Sequence, residues 1–193
     1  FARAIEISAL LTFSAIRNHD KVGLLFFTDK NEFYLPPKSG KTHGMRIIRE
    51  LLARHYPRSG TNISAGLSAL MNLLKKRSVV FLISDLLDEN DFSKMLKVTA
   101  KKHDLIIIRI LDQIEKELPK TSILEIEDSE SGDSIPFDAG SQRLVAKFAK
   151  ASAEIHEKNL LTAKKAKIDL IDINTSEDII KPLMKFFRMR ERV

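Results

Sequence analysis

Three short stretches carry residue types that could do chemistry. The first is residues 35–42, LPPKSGKT, whose last three letters close a phosphate-binding loop. Such a loop needs an earlier glycine, then four residues, then Gly-Lys-Ser/Thr, because a glycine-opened backbone must wrap its amides around the phosphates. Counting back from Gly40, the place of the first glycine is taken by Leu35, and Pro36 and Pro37 each remove an N–H that would have donated. What survives is a Ser39-Gly40 turn into a helix whose first residues, 41–43, meet an anion only weakly. The second stretch is SGTNIS, residues 59–64, with Thr61 before an apolar helical pattern. The third is Ser84-Asp85, at the end of the apolar run SVVFLIS. A carboxylate and a hydroxyl at the carboxyl ends of strands are the start of an oxygen site for a hard divalent cation such as magnesium. The competing reading makes each a helix cap, Thr61 for the helix that follows it and Asp85 for the next one.

The elements that must position these residues follow from periodicity. Residues 4–16 place apolar side chains at helical spacing and the pattern stops at Asn18-His19-Asp20. Residues 22–27 are an unbroken apolar run, which predicts a strand covered on both faces. Residues 32–35 follow a tight turn and pair antiparallel with it. Helices are predicted over 41–56, 63–75, 92–102, 141–166 and 177–190, and buried strands over 78–84, 105–111 and 168–173. The alternation of strand and helix argues an α/β fold with a mainly parallel sheet. Residues 112–138 break that rhythm and hold a polar hairpin, at about 121–138, turning at Ser131-Gly132. Its acids Glu125, Glu127, Asp128, Glu130 and Asp133 lack the carboxylate and glycine alternation of a calcium loop.

Composition narrows the function classes. The 193 residues include 44% hydrophobic and 30% charged side chains, the balance of a globular domain, and no run approaches the length of a spanning helix. With no cysteine there is no disulfide, thiolate metal site or cysteine nucleophile, which fits a reducing, cytoplasmic setting. The net charge of +6 comes from 32 basic residues interspersed with 26 acidic ones, and aromatics are 7% with no tryptophan, so no nucleic-acid surface is indicated. GxGxxG and GxSxG are absent, and His19, His43, His55, His103 and His156 have no zinc spacing. In Lys102-His103-Asp104 the histidine reads as a helix-end residue, where a cation is favourable. No repeat or linker interrupts the chain, so a single domain over 1–193 is expected, with the hairpin inserted at about 121–138.

Beyond these patterns the chain resembles a known family. AIEISALLTFSAIRNHDKVGLLFF, PPKSGKTH, SGTNIS, VVFLISDLLDE, KKHDLIIIRILDQIEKELP, the EDSESG hairpin and KFFRMRERV are similar, in order and spacing, to the C-terminal half of bacterial proteins in domain-of-unknown-function family 58. HDKVGLLFF, PP-x-x-G-K-x-H and ISD-x-x-D are its most specific segments. The resemblance implies a von Willebrand factor A-like domain, a three-layer α-β-α Rossmann-like fold with a mainly parallel sheet, one antiparallel edge strand and an inserted hairpin. It also implies a metal-ion-dependent adhesion site. In such sites magnesium is held by an Asp-x-Ser-x-Ser loop after the first strand, a threonine from a second loop and an aspartate from a third. Thr61 matches the threonine, with Asn62 where aspartate is the commoner neighbour, and Asp85 matches the aspartate. The Asp-x-Ser-x-Ser loop is expected upstream of Phe1, together with the first strand.

Two functions are weighed. The resemblance implies a non-catalytic protein-interaction module whose partner is an AAA+ ATPase of the MoxR class, with magnesium bound in the intact protein and an apo site in these residues. Loss of a strand from the sheet is expected to leave a groove open to self-association. The alternative is a magnesium-dependent phosphoryl hydrolase with Asp85 and Asp88 as paired carboxylates, for which no nucleophile and base can be named. The basic helix over 181–192 is a further surface for a partner.

Overall fold

The computed structural model describes residues 2–29, 31–53, 60–88, 90–112, 124–127, 134–137 and 141–190. They group into two compact units, Phe1–Lys75 and Lys76–Val193.

The first unit contains helix α1 (Ala2–Arg17), strands β1 (Val22–Phe27) and β2 (Asn31–Lys38), and helices α2 (Lys41–Ala53) and α3 (Ile63–Leu73). The short connection after β1 forces an antiparallel pair, with Leu24 opposite Leu35 and Leu25 opposite Tyr34. Leu35, Ile47 and Leu51 form its buried core, against which Ile5, Val22, Leu24, Phe26 and Phe33 pack. The residue that occupies the place of the missing glycine is thus a core leucine. β2 runs past the predicted end at residue 35 and takes in Pro36 and Pro37. Among the described residues it pairs with β1 alone, so a missing N–H can fall on the side away from that partner. Gly40 follows at φ +99°, a left-handed turn suited to glycine, and α2 starts at Lys41. β1 is half-buried rather than covered on both faces, five of its six residues being partly exposed and Gly23 exposed.

The second unit contains β3 (Val79–Ser84), α4 (Ser93–Lys102), β4 (Asp104–Leu111), β5 (Leu124–Glu127), β6 (Ser134–Phe137), α5 (Gln142–Ala166), β7 (Asp169–Asn174) and α6 (Ile180–Arg190). β3, β4 and β7 form a three-stranded parallel sheet in that order. β4 lies in the middle, and Leu105 to Ile108 are all buried, as an apolar run covered on both faces requires. Helices cover both faces. Ser84, Arg109 and Asp172 share one rung of the ladder and so one face, and Arg109 reaches the backbone of α5 there. Phe81, of opposite parity on β3, meets Phe187 of α6 edge-on at 6.2 Å between centroids. Arg190 fixes the end of α6 by pairing with Asp104 and Asp169 at the starts of β4 and β7. Its guanidinium also lies 5.2 Å from the centre of the Phe186 ring.

The expected sheet with one antiparallel edge strand resolves into three ladders. Parallel pairing is confined to strands joined through helices, whereas β1–β2 and β5–β6 are antiparallel pairs. β5 and β6 realise the predicted hairpin, while its turn at Ser131-Gly132, the predicted helix end at 54–56 and His55 lie outside the described residues.

His103 departs from the sequence reading. It does end α4, its backbone N–H donating to Thr99 O at 2.8 Å, yet it is 1% exposed and neither ring nitrogen has a hydrogen-bond partner among the described residues. Burial outweighs the attraction of a helix end for a cation and pushes its pKa below 6.5, with Lys102 acting in the same direction. A depressed folded pKa means that the unfolded chain binds the proton more tightly. Stability from this residue is therefore complete above pH 6.5 and lost as the pH falls from there through the folded pKa. Thermal melts of the wild type should show a declining Tm over that interval, and His103→Leu should flatten the decline. An unchanged slope in the variant would rule His103 out as its source.

Candidate functional site

The carboxyl end of β3 carries a loop held by its own side chains. Ser84 is the last strand residue and Asp85, exposed, is the first beyond it. The Ser84 hydroxyl accepts from the Leu86 amide at 3.0 Å, and Asp85 Oδ1 accepts from the Leu87 amide at 3.1 Å and faces the Ser84 hydroxyl at 3.4 Å. These are the local side chain to backbone bonds by which serine and aspartate replace a regular ladder at a turn. No hydrogen bond to Asp85 Oδ2 is present among the described residues.

Leu86 gives the loop its shape. Its φ is +61°, a left-handed conformation that costs a leucine about 1 kcal/mol or more. Its side chain is nevertheless 2% exposed, so core burial holds one end of the residue while the backbone turns Asp85 outward. The Leu86 carbonyl accepts from Asn159 Nδ2 of α5 at 3.1 Å. Farther on, Asp88 Oδ1 accepts from the backbone and side-chain nitrogens of Asn90 at 2.8 and 2.9 Å. Asp91 Oδ1 accepts from the Ser93 amide at 2.9 Å, and the hydrogen bonds to Ser93 hold its carboxyl below the usual value of 3.8. The N-cap position of α4 is Phe92, without a side-chain cap, and Asp91 just before it braces the entry, so Asp85 does not cap this helix.

Thr61 lies in the first unit and is half-buried, immediately before α3. Asn62, not Thr61, is the cap: its side chain accepts from the Ala65 amide at 2.8 Å. The Asn62 amide donates to Thr28 O at 3.0 Å, tying this loop to the carboxyl end of β1. Both matched residues thus sit just beyond the carboxyl ends of strands, Thr61 in one unit and Asp85 in the other. Each offers a single oxygen donor of the type that magnesium accepts, a hydroxyl at Thr61 and a carboxylate at Asp85. Among the described residues no group of three or more His, Cys, Asp or Glu side chains is placed to hold a metal ion.

Sequence reasoning missed the polar row one strand over. Arg109 is 4% exposed in the middle strand; its Nε and Nη2 donate to Asp172 Oδ1 and Oδ2 at 2.7 and 2.9 Å, and Nη1 donates to His156 O at 3.1 Å. The signal was an arginine inside the apolar run LIIIRIL, which demands a charged or hydrogen-bonding partner. Asp172 becomes that partner through the register of β4 on β7, which no local pattern encodes.

The curated relatives are themselves uncharacterised. The chain is 23% identical over 98% of its length to the uncharacterized protein Rv1480 of Mycobacterium tuberculosis (strain ATCC 25618 / H37Rv), and spans 60% of that relative. It is 25% identical over 82% of its length to the uncharacterized protein MAV169 of Mycobacterium avium, covering 94% of it. Among solved structures, the conserved hypothetical protein BatB from Bacteroides thetaiotaomicron superposes with a TM-score of 0.55 at 14% identity, over 98% of this chain and 89% of that one. That likeness extends to the fold alone. No helix among the described residues is long and apolar enough to cross a membrane. Residues 2–158 match the family described as "Protein of unknown function DUF58", and the chain belongs to that family.

Proposed function

We propose that these residues form part of a non-catalytic protein-interaction module with a von Willebrand factor A-like architecture. Thr61 and Asp85 contribute two oxygen ligands to a magnesium site, a loop of Asp-x-Ser-x-Ser type supplies others, and a carboxylate of the partner completes the coordination. An AAA+ ATPase of the MoxR class is the partner this reading favours. The observation that carries it is the Asp85 loop: an exposed carboxylate at the carboxyl end of a parallel strand, fixed by bonds to its own turn. The hydrolase reading is not favoured, because no nucleophile and base can be named beside Asp85 and Asp88.

No Asp-x-Ser-x-Ser occurs in the 193 residues, and one hydroxyl with one carboxylate cannot build the near-octahedral shell that magnesium demands. Calorimetric titration of this chain with magnesium or manganese is expected to give no saturable tight isotherm; such an isotherm would reject the proposed ligand set. In a longer protein that carries the loop, Asp85→Ala should weaken capture of a MoxR-class ATPase at least about tenfold, as lost metal-site contacts do. Equal capture by the variant would argue against a metal bridge.

A further inference from the structure

Helix α5 touches the carboxyl-terminal rim of the parallel sheet at two points three residues apart. His156 O accepts from Arg109 Nη1 at 3.1 Å, which fixes the helix to the middle strand and, through Asp172, to β7. Asn159 Nδ2 donates to Leu86 O at 3.1 Å, which reaches the loop beyond β3. Asn159 is 6% exposed, so its amide has few alternatives to this bond. The residue it grips is the one whose backbone is in the left-handed region, directly between Asp85 and the Leu87 amide that binds Asp85 Oδ1.

We propose that Asn159 is the positioning residue of the Asp85 loop: by holding the Leu86 carbonyl it selects the left-handed turn that projects the carboxylate. The proposal rests on the reading of Asp85 as a metal ligand for its functional meaning, but not for its geometry. If Leu86 relaxed to an ordinary backbone conformation, its carbonyl would leave Asn159, and the short Asp85-to-Leu87 bond would lose its alignment. Helix α5 is then a splint, anchored on the Arg109 and Asp172 rung, that transmits its own placement to Asp85. A shift of this helix would alter the site without touching any ligand.

Two variants separate the hydrogen bond from simple packing. Asn159→Leu fills a similar volume without a donor, and Asn159→Asp keeps the shape and loses the amide. Amide hydrogen exchange on the 193-residue chain is expected to quicken about tenfold at Leu86 and Leu87 in both, the size a lost buried hydrogen bond gives, while Ile107 and Ile171 stay within about twofold of wild type. Unchanged exchange at Leu86 and Leu87 would overturn the proposal, and so would an equal rise at all four amides, which marks a purely structural role. In the longer protein, Asn159→Leu should also reduce partner capture in the direction of Asp85→Ala. The two readings fail separately: unaltered capture by Asp85→Ala removes the metal bridge and leaves the exchange result standing, whereas unaltered exchange removes Asn159 as the positioning residue alone.

Discussion

Asp172→Ala is expected to lower the unfolding free energy of the second unit by about 3–5 kcal/mol, more than Arg109→Met at about 1–2 kcal/mol. The two substitutions break the same pair, so the inequality comes from what each leaves behind. Arg109 is 4% exposed and Asp172 45%. Removing the aspartate leaves a buried guanidinium with one carbonyl, His156 O, as its remaining acceptor among the described residues. Removing the arginine leaves a carboxylate that nearly half faces solvent, while methionine fills much of the vacated stem volume. Urea unfolding of the three proteins measures both steps, and a larger loss for Arg109→Met than for Asp172→Ala would show that packing of the stem outweighs the stranded charge.

The second large effect is expected at Gly66, buried in α3. A Cβ built there would lie 2.5, 2.6 and 2.8 Å from three carbons of the Phe27 ring. Alanine in a helix interior normally gains about 1 kcal/mol over glycine. Here the helix lies so close to β1 that the ring must move, and overpacking costs about 1–3 kcal/mol or more. Gly66→Ala should therefore destabilise the first unit by about 2 kcal/mol net. Phe27→Leu, which costs stability in the wild type, should cost less in the Gly66→Ala background because it removes the clash. A stabilised Gly66→Ala protein would mean that the ring yields freely.

How much of this was legible in the sequence depends on the range of the interaction. The elements were, because their signals are local: the apolar run at 105–108 is the buried middle strand, and the helical spacing at 63–73 is α3. Asp85 was legible as the residue after the clearest apolar strand pattern, 78–84, and the failed phosphate loop was legible in Leu35 and the two prolines. Three things were not. The cap moved from Thr61 to Asn62, one residue on, a distinction that depends on backbone angles rather than composition. The burial of His103 depends on what packs over the end of α4, so a rule about helix dipoles gave the opposite charge. Asn159 touches Leu86 across 73 positions of chain, and a leucine gives no warning of a left-handed backbone.

The unshared strand edges have a consequence for how the chain behaves in concentrated solution. The outer strand β2 carries Pro36 and Pro37, and the outer strand β7 carries Asp169 and Asp172, the residue types that discourage a further strand from adding. β1, VGLLFF, and β3, VVFLIS, each pair on one side within their own ladder and hold neither a charge nor a proline. Natural sheets seldom leave apolar rims so poorly guarded. In these two ladders the prolines and outer-strand charges thus fall on β2 and β7, and among the described strands aggregation, where it occurs, should begin at β1 and β3 in spite of a net charge of +6.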